Sequence, residues 1–180
     1  HLATGGFGKK LRVWSLDNAT RAASLTGHTQ AVYDIAIRPD GKQIATGSAD
    51  TTVLLWDPRT GRPTARLEGH DEAVFGVSYS PDGKLLASAG SDHTIRLWEA
   101  GTATASPTPR TVLRGHRDAV WGAEFTPDGK HLVSSSSDAT LRVWNPHTAK
   151  LLGELRGHTG YIYGLDIHPG GRFVATAGGD

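Results

Sequence analysis

A histidine, a hydroxyl residue, an aspartate and a tryptophan recur together along this chain at fixed offsets. They are His28, Thr46, Asp50 and Trp56; His70, Ser88, Asp92 and Trp98; and His116, Ser134, Asp138 and Trp144. His158, Thr176 and Asp180 begin a further set that has no tryptophan. Ser or Thr, His and Asp within hydrogen-bond reach are the parts of an acyl-transfer triad, in which the imidazole takes the hydroxyl proton and the carboxylate orients the ring. The same groups also suit a purely structural chemistry. An indole on a buried sheet face has one N–H that needs an acceptor, and a Ser or Thr hydroxyl provides it. That hydroxyl can donate to His, the other ring nitrogen can donate to Asp, and Asp can accept backbone amides of its own turn. Every polar atom is then paired, as burial demands. Catalysis needs one exposed, distinctive copy, whereas these copies are nearly identical, so the structural reading is the stronger.

The elements that must position these residues repeat with them. Gly69 to Trp98 reads GHDEAVFGVSYSPDGKLLASAGSDHTIRLW, and the rest of the chain is that stretch again. His to Asp is 22 residues in all four copies, Asp to Trp is 6 in the three that reach it, and successive repeat His residues are 42, 46 and 42 apart. A fixed period of this size marks a repeat array. Residues 1–14 are the back end of an earlier copy, with Thr4 and Trp14 in place and Gly8 at the Asp position. Short β-branched or aromatic runs, each closed by Pro-Asp-Gly, Thr-Gly or Ser-x-Asp turn chemistry, predict strands and no helix. Leu2–Gly6, Leu11–Ser15 and Arg21–Leu25 form the first group. A four-strand unit follows near Val32–Arg38, Gln43–Gly47, Thr52–Asp57 and Thr64–Glu68 and repeats from Val74 and from Val120; Tyr161–His168 and Phe173–Ala177 end the series at 17 strands. Connections this short permit only antiparallel meanders. The irregular stretch Gly101–Arg110, GTATASPTPR, holds the four extra residues of the long repeat and reads as a loop between the third and fourth strands of its unit.

GH, PDG, the LASAGSD-like run and IRLW with a following acidic residue resemble the WD-repeat β-propeller family, over essentially the whole chain. The acidic residue drifts: Asp57 and Glu99 match, Asn145 and Ser15 do not. The tetrad does not use that position. The resemblance implies an all-β fold, a β-propeller of four-stranded antiparallel blades, here about four blades' worth and a segment of a larger ring. The blades fall at 27–68, 69–114 and 115–156, with partial blades at 1–26 and 157–180. It further implies that the His, Ser or Thr, Asp and Trp positions named above are structural. Both ends cut through a blade and leave strand edges that are pairing templates, so self-association through them is an alternative to a longer parent chain. A first residue of His and the lack of any Met favour the longer parent.

Composition narrows the partners. The 180 residues are 37% apolar, with 19 basic and 18 acidic side chains and a net charge of +1, so nothing argues for nucleic acid or an anionic membrane. No cysteine is present, which excludes a disulfide scaffold and thiolate chemistry and fits a cytoplasmic protein. No apolar run reaches the length of about 18 residues that suggests a membrane helix, and no signal peptide is recognisable. Neither a metal nor a cofactor is expected: the repeat His residues each have their own Asp on a separate blade, and His1, His93, His131, His147 and His168 show no ligand spacing. Asn18-Ala19-Thr20 matches a glycosylation acceptor, read here as a chance match.

Function should sit where the repeats share chemistry that the fold does not require. Five residues after each repeat His stands an aromatic, Tyr33, Phe75, Trp121 and Tyr163, and Tyr161 adds a fifth where other repeats have Ala. These lie at the start of the innermost strand, and in the family this rim contacts partners. They could equally pack between blades. Gln30, Asp71, Glu72, Arg117 and Asp118 offer a polar rim, and Asp34, Glu124 and Asp166 line the channel as solvated wall charges. The reading is a non-catalytic scaffold that binds a protein or peptide through this aromatic face. Two alternatives stand beside it: a regulatory or sensor module of a larger signalling protein with a kinase or nucleotide-hydrolysing domain, and a ligand-binding or hydrolytic propeller that uses the acidic channel.

Overall fold

A computed structural model describes residues 2–6, 8–14, 21–100 and 108–180. His1, Ser15, the Asn18-Ala19-Thr20 triplet and residues 101–107 of the irregular loop lie outside the described residues. Seventeen strands and no helix are found among those described. They form five antiparallel sheets in sequence order. The first contains β1 (Leu2–Thr4), β2 (Lys10–Trp14) and β3 (Arg21–Thr26). The second contains β4 (Val32–Ile37), β5 (Ile44–Ser48), β6 (Val53–Asp57) and β7 (Arg62–Leu67). The third contains β8 (Val74–Tyr79), β9 (Leu85–Gly90), β10 (Ile95–Glu99) and the short β11 (Thr111–Leu113). The fourth contains β12 (Val120–Phe125), β13 (Leu132–Ser136), β14 (Thr140–Trp144) and β15 (Leu151–Arg156), and the last β16 (Ile162–Ile167) with β17 (Val174–Gly178). The sheets form an open series of propeller blades.

Turn chemistry explains the meander. In the β8–β9 hairpin the Asp82 carboxylate accepts the Lys84 amide at 3.0 Å and the Ser80 hydroxyl at 2.6 Å, so the aspartate reproduces a backbone turn. Asp40 and Asp128 take the amides of Lys42 and Lys130 in the same way, both at 3.0 Å.

The core lies between sheets. Leu11, Val13 and Leu25 of the first sheet enclose Ile44, Leu54 and Trp56 of the second. Ala45, Val53, Leu55, Ala65 and Leu67 of the second meet Val74, Val77, Tyr79, Leu86 and Trp98 of the third. Leu85, Ile95, Leu97 and Leu113 of the third meet Val120, Phe125, Leu132 and Trp144 of the fourth. The indoles of Trp56, Trp98 and Trp144 are therefore each buried against the preceding sheet, and these cores are shared between sheets. The position three before each repeat His reports this contact. Leu67 and Leu113 are each 2% exposed with a full sheet over them, whereas Leu155 is 50% exposed beside the two-stranded last sheet.

The innermost strands β4, β8, β12 and β16 stand side by side, and their approach sets a steric limit. A Cβ at Gly76 would lie 2.8 Å from the carbonyl oxygen of Trp121 and 3.1 Å from Cα of Gly122. Both are backbone atoms that cannot swing away. Gly76→Ala is therefore expected to destabilise the protein by about 1–3 kcal/mol through forced separation of β8 and β12. Urea unfolding followed by tryptophan fluorescence measures this, and an unchanged midpoint would refute the close approach.

Candidate functional site

Each recurrent set of four is joined by hydrogen bonds. The Trp56 indole N–H donates to Thr46 Oγ1 at 2.9 Å, and Thr46 Oγ1 lies 2.7 Å from His28 Nε2. With the indole proton already pointed at the hydroxyl oxygen, the hydroxyl gives its own proton to Nε2. His28 Nδ1 then donates to Asp50 Oδ2 at 2.9 Å. Ser88 receives Trp98 at 2.9 Å and meets His70 at 2.8 Å, and His70 meets Asp92 at 2.9 Å. The distances around Ser134 are 2.9 Å to Trp144 and 2.7 Å to His116, with 2.8 Å from His116 to Asp138. In the first unit Trp14 still donates to Thr4, at 3.0 Å. In the last, His158 bridges Thr176 at 2.9 Å and Asp180 at 2.6 Å.

Each carboxylate has further donors that the pattern of four did not include. Asp92 accepts the Asp71 amide at 3.2 Å, and its other oxygen takes the amide and hydroxyl of Thr94 at 3.1 and 2.8 Å. Thr52 and Thr140 stand in the same relation to Asp50 and Asp138, and a Thr two residues after each Asp was the available signal. Burial works to raise the Asp50 carboxyl, but the Thr52 hydroxyl, the Thr29 amide and His28 outweigh it and hold it at about 2. Asp92 and Asp138 are held below the usual carboxylate range by the same balance. Burial pushes the His28 and His116 imidazoles down against the pull of their carboxylates, so both rings are neutral at pH 7. A neutral His between an ionised Asp and a hydroxyl is the triad's charge state. However, Thr46, Ser88 and Ser134 are 0% exposed, and each oxygen already holds an indole N–H.

A buried arginine also escaped the sequence reading. Arg96 lies against Gly69, whose φ of +150° and lack of a Cβ leave the space: a Cβ there would meet the guanidinium at 3.0 Å. Arg142 occupies the same place over Gly115 and pairs with Glu154 at 3.0 Å. Alternation along β10 and β14 gives no warning of this, because the second unit has Leu54 at that position.

The aromatic residues come together on the innermost strands. Tyr33 meets Phe75 edge-on at 5.3 Å, Phe75 stacks on Trp121 at 4.3 Å, and Trp121 meets Tyr163 edge-on at 5.1 Å. Tyr161 extends the band, 6.1 Å from Tyr163. A shared backbone irregularity produces it. Register shifts fall between Val32 and Asp34, Val74 and Gly76, Val120 and Gly122, and Ile162 and Gly164, so Tyr33, Phe75, Trp121 and Tyr163 are each the extra residue of a β-bulge. Bulges re-aim side chains. Tyr33 is 46% exposed, Tyr161 and Tyr163 each 51%, and Phe75 and Trp121 are half-buried. The Trp121 N–H donates to Ser137 at 2.8 Å, which fixes the central ring. Of the polar residues expected beside the band, Glu72 accepts the Ser91 hydroxyl at 2.7 Å and Asp118 accepts the Ala119 amide at 2.7 Å.

Below the band lies a cleft of about 320 Å³, whose walls include Asp34, Gly76, Gly122 and Glu124. The expectation of solvated wall charges is incorrect for two of the three carboxylates. Asp34 accepts the amides of Ile35 and of Val77 on the next sheet, both at 2.8 Å, and burial raises its carboxyl. Glu124 is pushed up to about 7 by burial and by Asp166 and Asp34, against the Ile167 amide that bonds to it. Among the described residues no three His, Asp or Glu side chains gather to hold a metal ion, and no helix is long and apolar enough to cross a membrane.

The family model described as WD domain, G-beta repeat matches residues 19–57, 61–99, 107–145 and 149–180. Each match runs from the outer strand of one sheet into the next sheet: 61–99 takes in β7 through β10. No curated protein matches the chain.

Two outcomes follow from this geometry. Asp92→Ala leaves the donors of His70, Asp71 and Thr94 without their acceptor and is expected to lower stability by about 1–3 kcal/mol, read from the urea midpoint. Glu124→Gln keeps the acceptor for Ile167 and removes the titration. Because the folded carboxyl titrates above its ordinary value of 4.5, it contributes stability at low pH that is lost as pH rises through about 7. The Gln variant should therefore melt higher than the parent at about pH 8 and equal to it at about pH 4. A gain that is the same at both pH values would show that the carboxyl is not displaced.

Proposed function

Because the chain belongs to the WD-repeat family, whose repeats generally mediate protein–protein interaction and are typically non-catalytic, we propose that it is a scaffold that binds a protein or peptide through the band of Tyr33, Phe75, Trp121, Tyr161 and Tyr163. The observation that carries this reading is the fourfold recurrence of a bulged aromatic on adjacent innermost strands, giving one continuous strip of rings. A ring needed only for packing would be covered, yet Tyr33, Tyr161 and Tyr163 are about half exposed. Rigid aromatics with few torsions lose little entropy on binding and are typical interface anchors. The polar rim is Gln30, Asp71, Glu72, Arg117 and Asp118.

The tetrads take the structural role in this proposal, including the partial set His158, Thr176 and Asp180. A nucleophile needs a route for substrate, and the Ser88 oxygen has none: it is 0% exposed and enclosed, with Trp98 and His70 on it. The blade division at 1–26, 27–68, 69–114, 115–156 and 157–180 belongs to the same proposal.

The triple variant Tyr33→Ala, Phe75→Ala, Trp121→Ala tests it. Proteins captured from a cell lysate by the parent chain should be lost from the variant, while circular dichroism and the tetrad-dependent melting transition persist. Retention of the same captured proteins by a folded variant would refute the band as the binding face.

A further inference from the structure

We propose that the partner presents a lysine or arginine, seated with its aliphatic stem on the ring band and its cation in the cleft beneath, between Asp34 and Glu124 and within the field of Asp166; this rests on the reading of the band as the binding face. Charge on the innermost strands points one way. Their sequences are VYDIAI, VFGVSY, VWGAEF and IYGLDI, which hold three carboxylates and no basic residue. The carboxylates sense one another, since Asp166 and Asp34 both act on Glu124. Arg38, just past β4, already pairs with Asp40 through two bonds of 2.9 Å. On the turns beside the band, Asp71, Glu72 and Asp118 stand against Arg117 and Lys9.

Ring faces add to this potential. An aromatic quadrupole is negative on its face, so an exposed ring face attracts a cation and disfavours a carboxylate. Ring and carboxylate are also contiguous. Tyr33 and Asp34 line a neighbouring cleft together, and Asp34 is also a wall of the cleft that holds Glu124. Trp121 and Glu124 are three residues apart on β12, about 10 Å along a strand at about 3.3 Å per residue. Long basic side chains lay their methylene stems on apolar surface and carry the charge beyond it, which matches rings first and acids deeper. Each Asp34 oxygen accepts one amide, from Ile35 and from Val77, and Glu124 accepts that of Ile167, and a carboxylate oxygen can accept a second donor. An acidic segment would meet repulsion at the same place, and a purely apolar one would leave the three carboxylates desolvated and unpaired.

Selection of a random phage-displayed peptide library on the immobilised 180-residue chain tests the proposal. The expected result is enrichment of Lys- or Arg-containing peptides whose binding weakens with rising salt. It should be lost in Trp121→Ala or Tyr163→Ala and fall about tenfold in the Glu124→Gln, Asp166→Asn double variant, which leaves every ring in place. Selected peptides that need the rings but are neutral or acidic would overturn the basic partner and leave the binding face intact. Basic peptides indifferent to the ring substitutions would overturn both. Failure to enrich any peptide would also overturn the proposal. Melting curves of each variant separate lost binding from lost fold.

Discussion

The structure depends on one buried oxygen atom per blade. Thr46 Oγ1, Ser88 Oγ and Ser134 Oγ each accept an indole proton from the third strand and face an imidazole from the turn before the first. A hydroxyl can accept and donate at once, and no apolar side chain of that size could replace it without leaving an indole N–H and an imidazole nitrogen unpaired. The imidazole passes the constraint to an aspartate that holds the turn between the second and third strands. Side chains thereby tie the first three strands of a blade together, in addition to their backbone pairing.

Blades do not stand by themselves, and the same tryptophans explain why. The indole polar edge is satisfied within its own sheet, while its apolar body fills the core against the preceding sheet. Register within a blade and contact between blades thus depend on a single residue. The first three family matches span the outer strand of one sheet and the first three of the next, so a repeat unit contains both halves of an interface. Stability accumulates by neighbours, and the exposure of Leu155 is what a unit looks like when its neighbour is only two strands wide.

Much of this was legible in the sequence because it is periodic. His, hydroxyl, Asp and Trp keep their spacing, and strands bounded by Pro-Asp-Gly turns follow from local chemistry. What the spacing could not carry was non-local or irregular. The bulges at Tyr33, Phe75, Trp121 and Tyr163 break the alternation that assigns a side chain to a face, so a count along the strand leaves the orientation of those rings open. Asp34 reads as a channel charge and instead bridges to Val77 on the neighbouring strand, a contact between residues 43 apart. Arg96 falls at a position that alternation assigns to the interior. Only Gly69, in the connection between β7 and β8, makes room.

Division of labour between the two sets of recurring residues follows from how each spends its hydrogen-bonding capacity. Tetrad side chains turn theirs inward: Asp92 accepts from His70, Asp71, Thr94 and Arg96, all within the chain. Such a site is invariant in chemistry because any change leaves a buried group unpaired. The rim obeys no such constraint. At the bulge the residue is Tyr, Phe, Trp or Tyr, and the fold accepts each, since only the backbone must kink there. A position that the framework shapes but does not need is free to be selected for recognition. In the proposed binding mode the rigidity of the blades serves the rim: rings held by a backbone irregularity on adjacent strands, with Trp121 tied to Ser137, would meet a partner already in place.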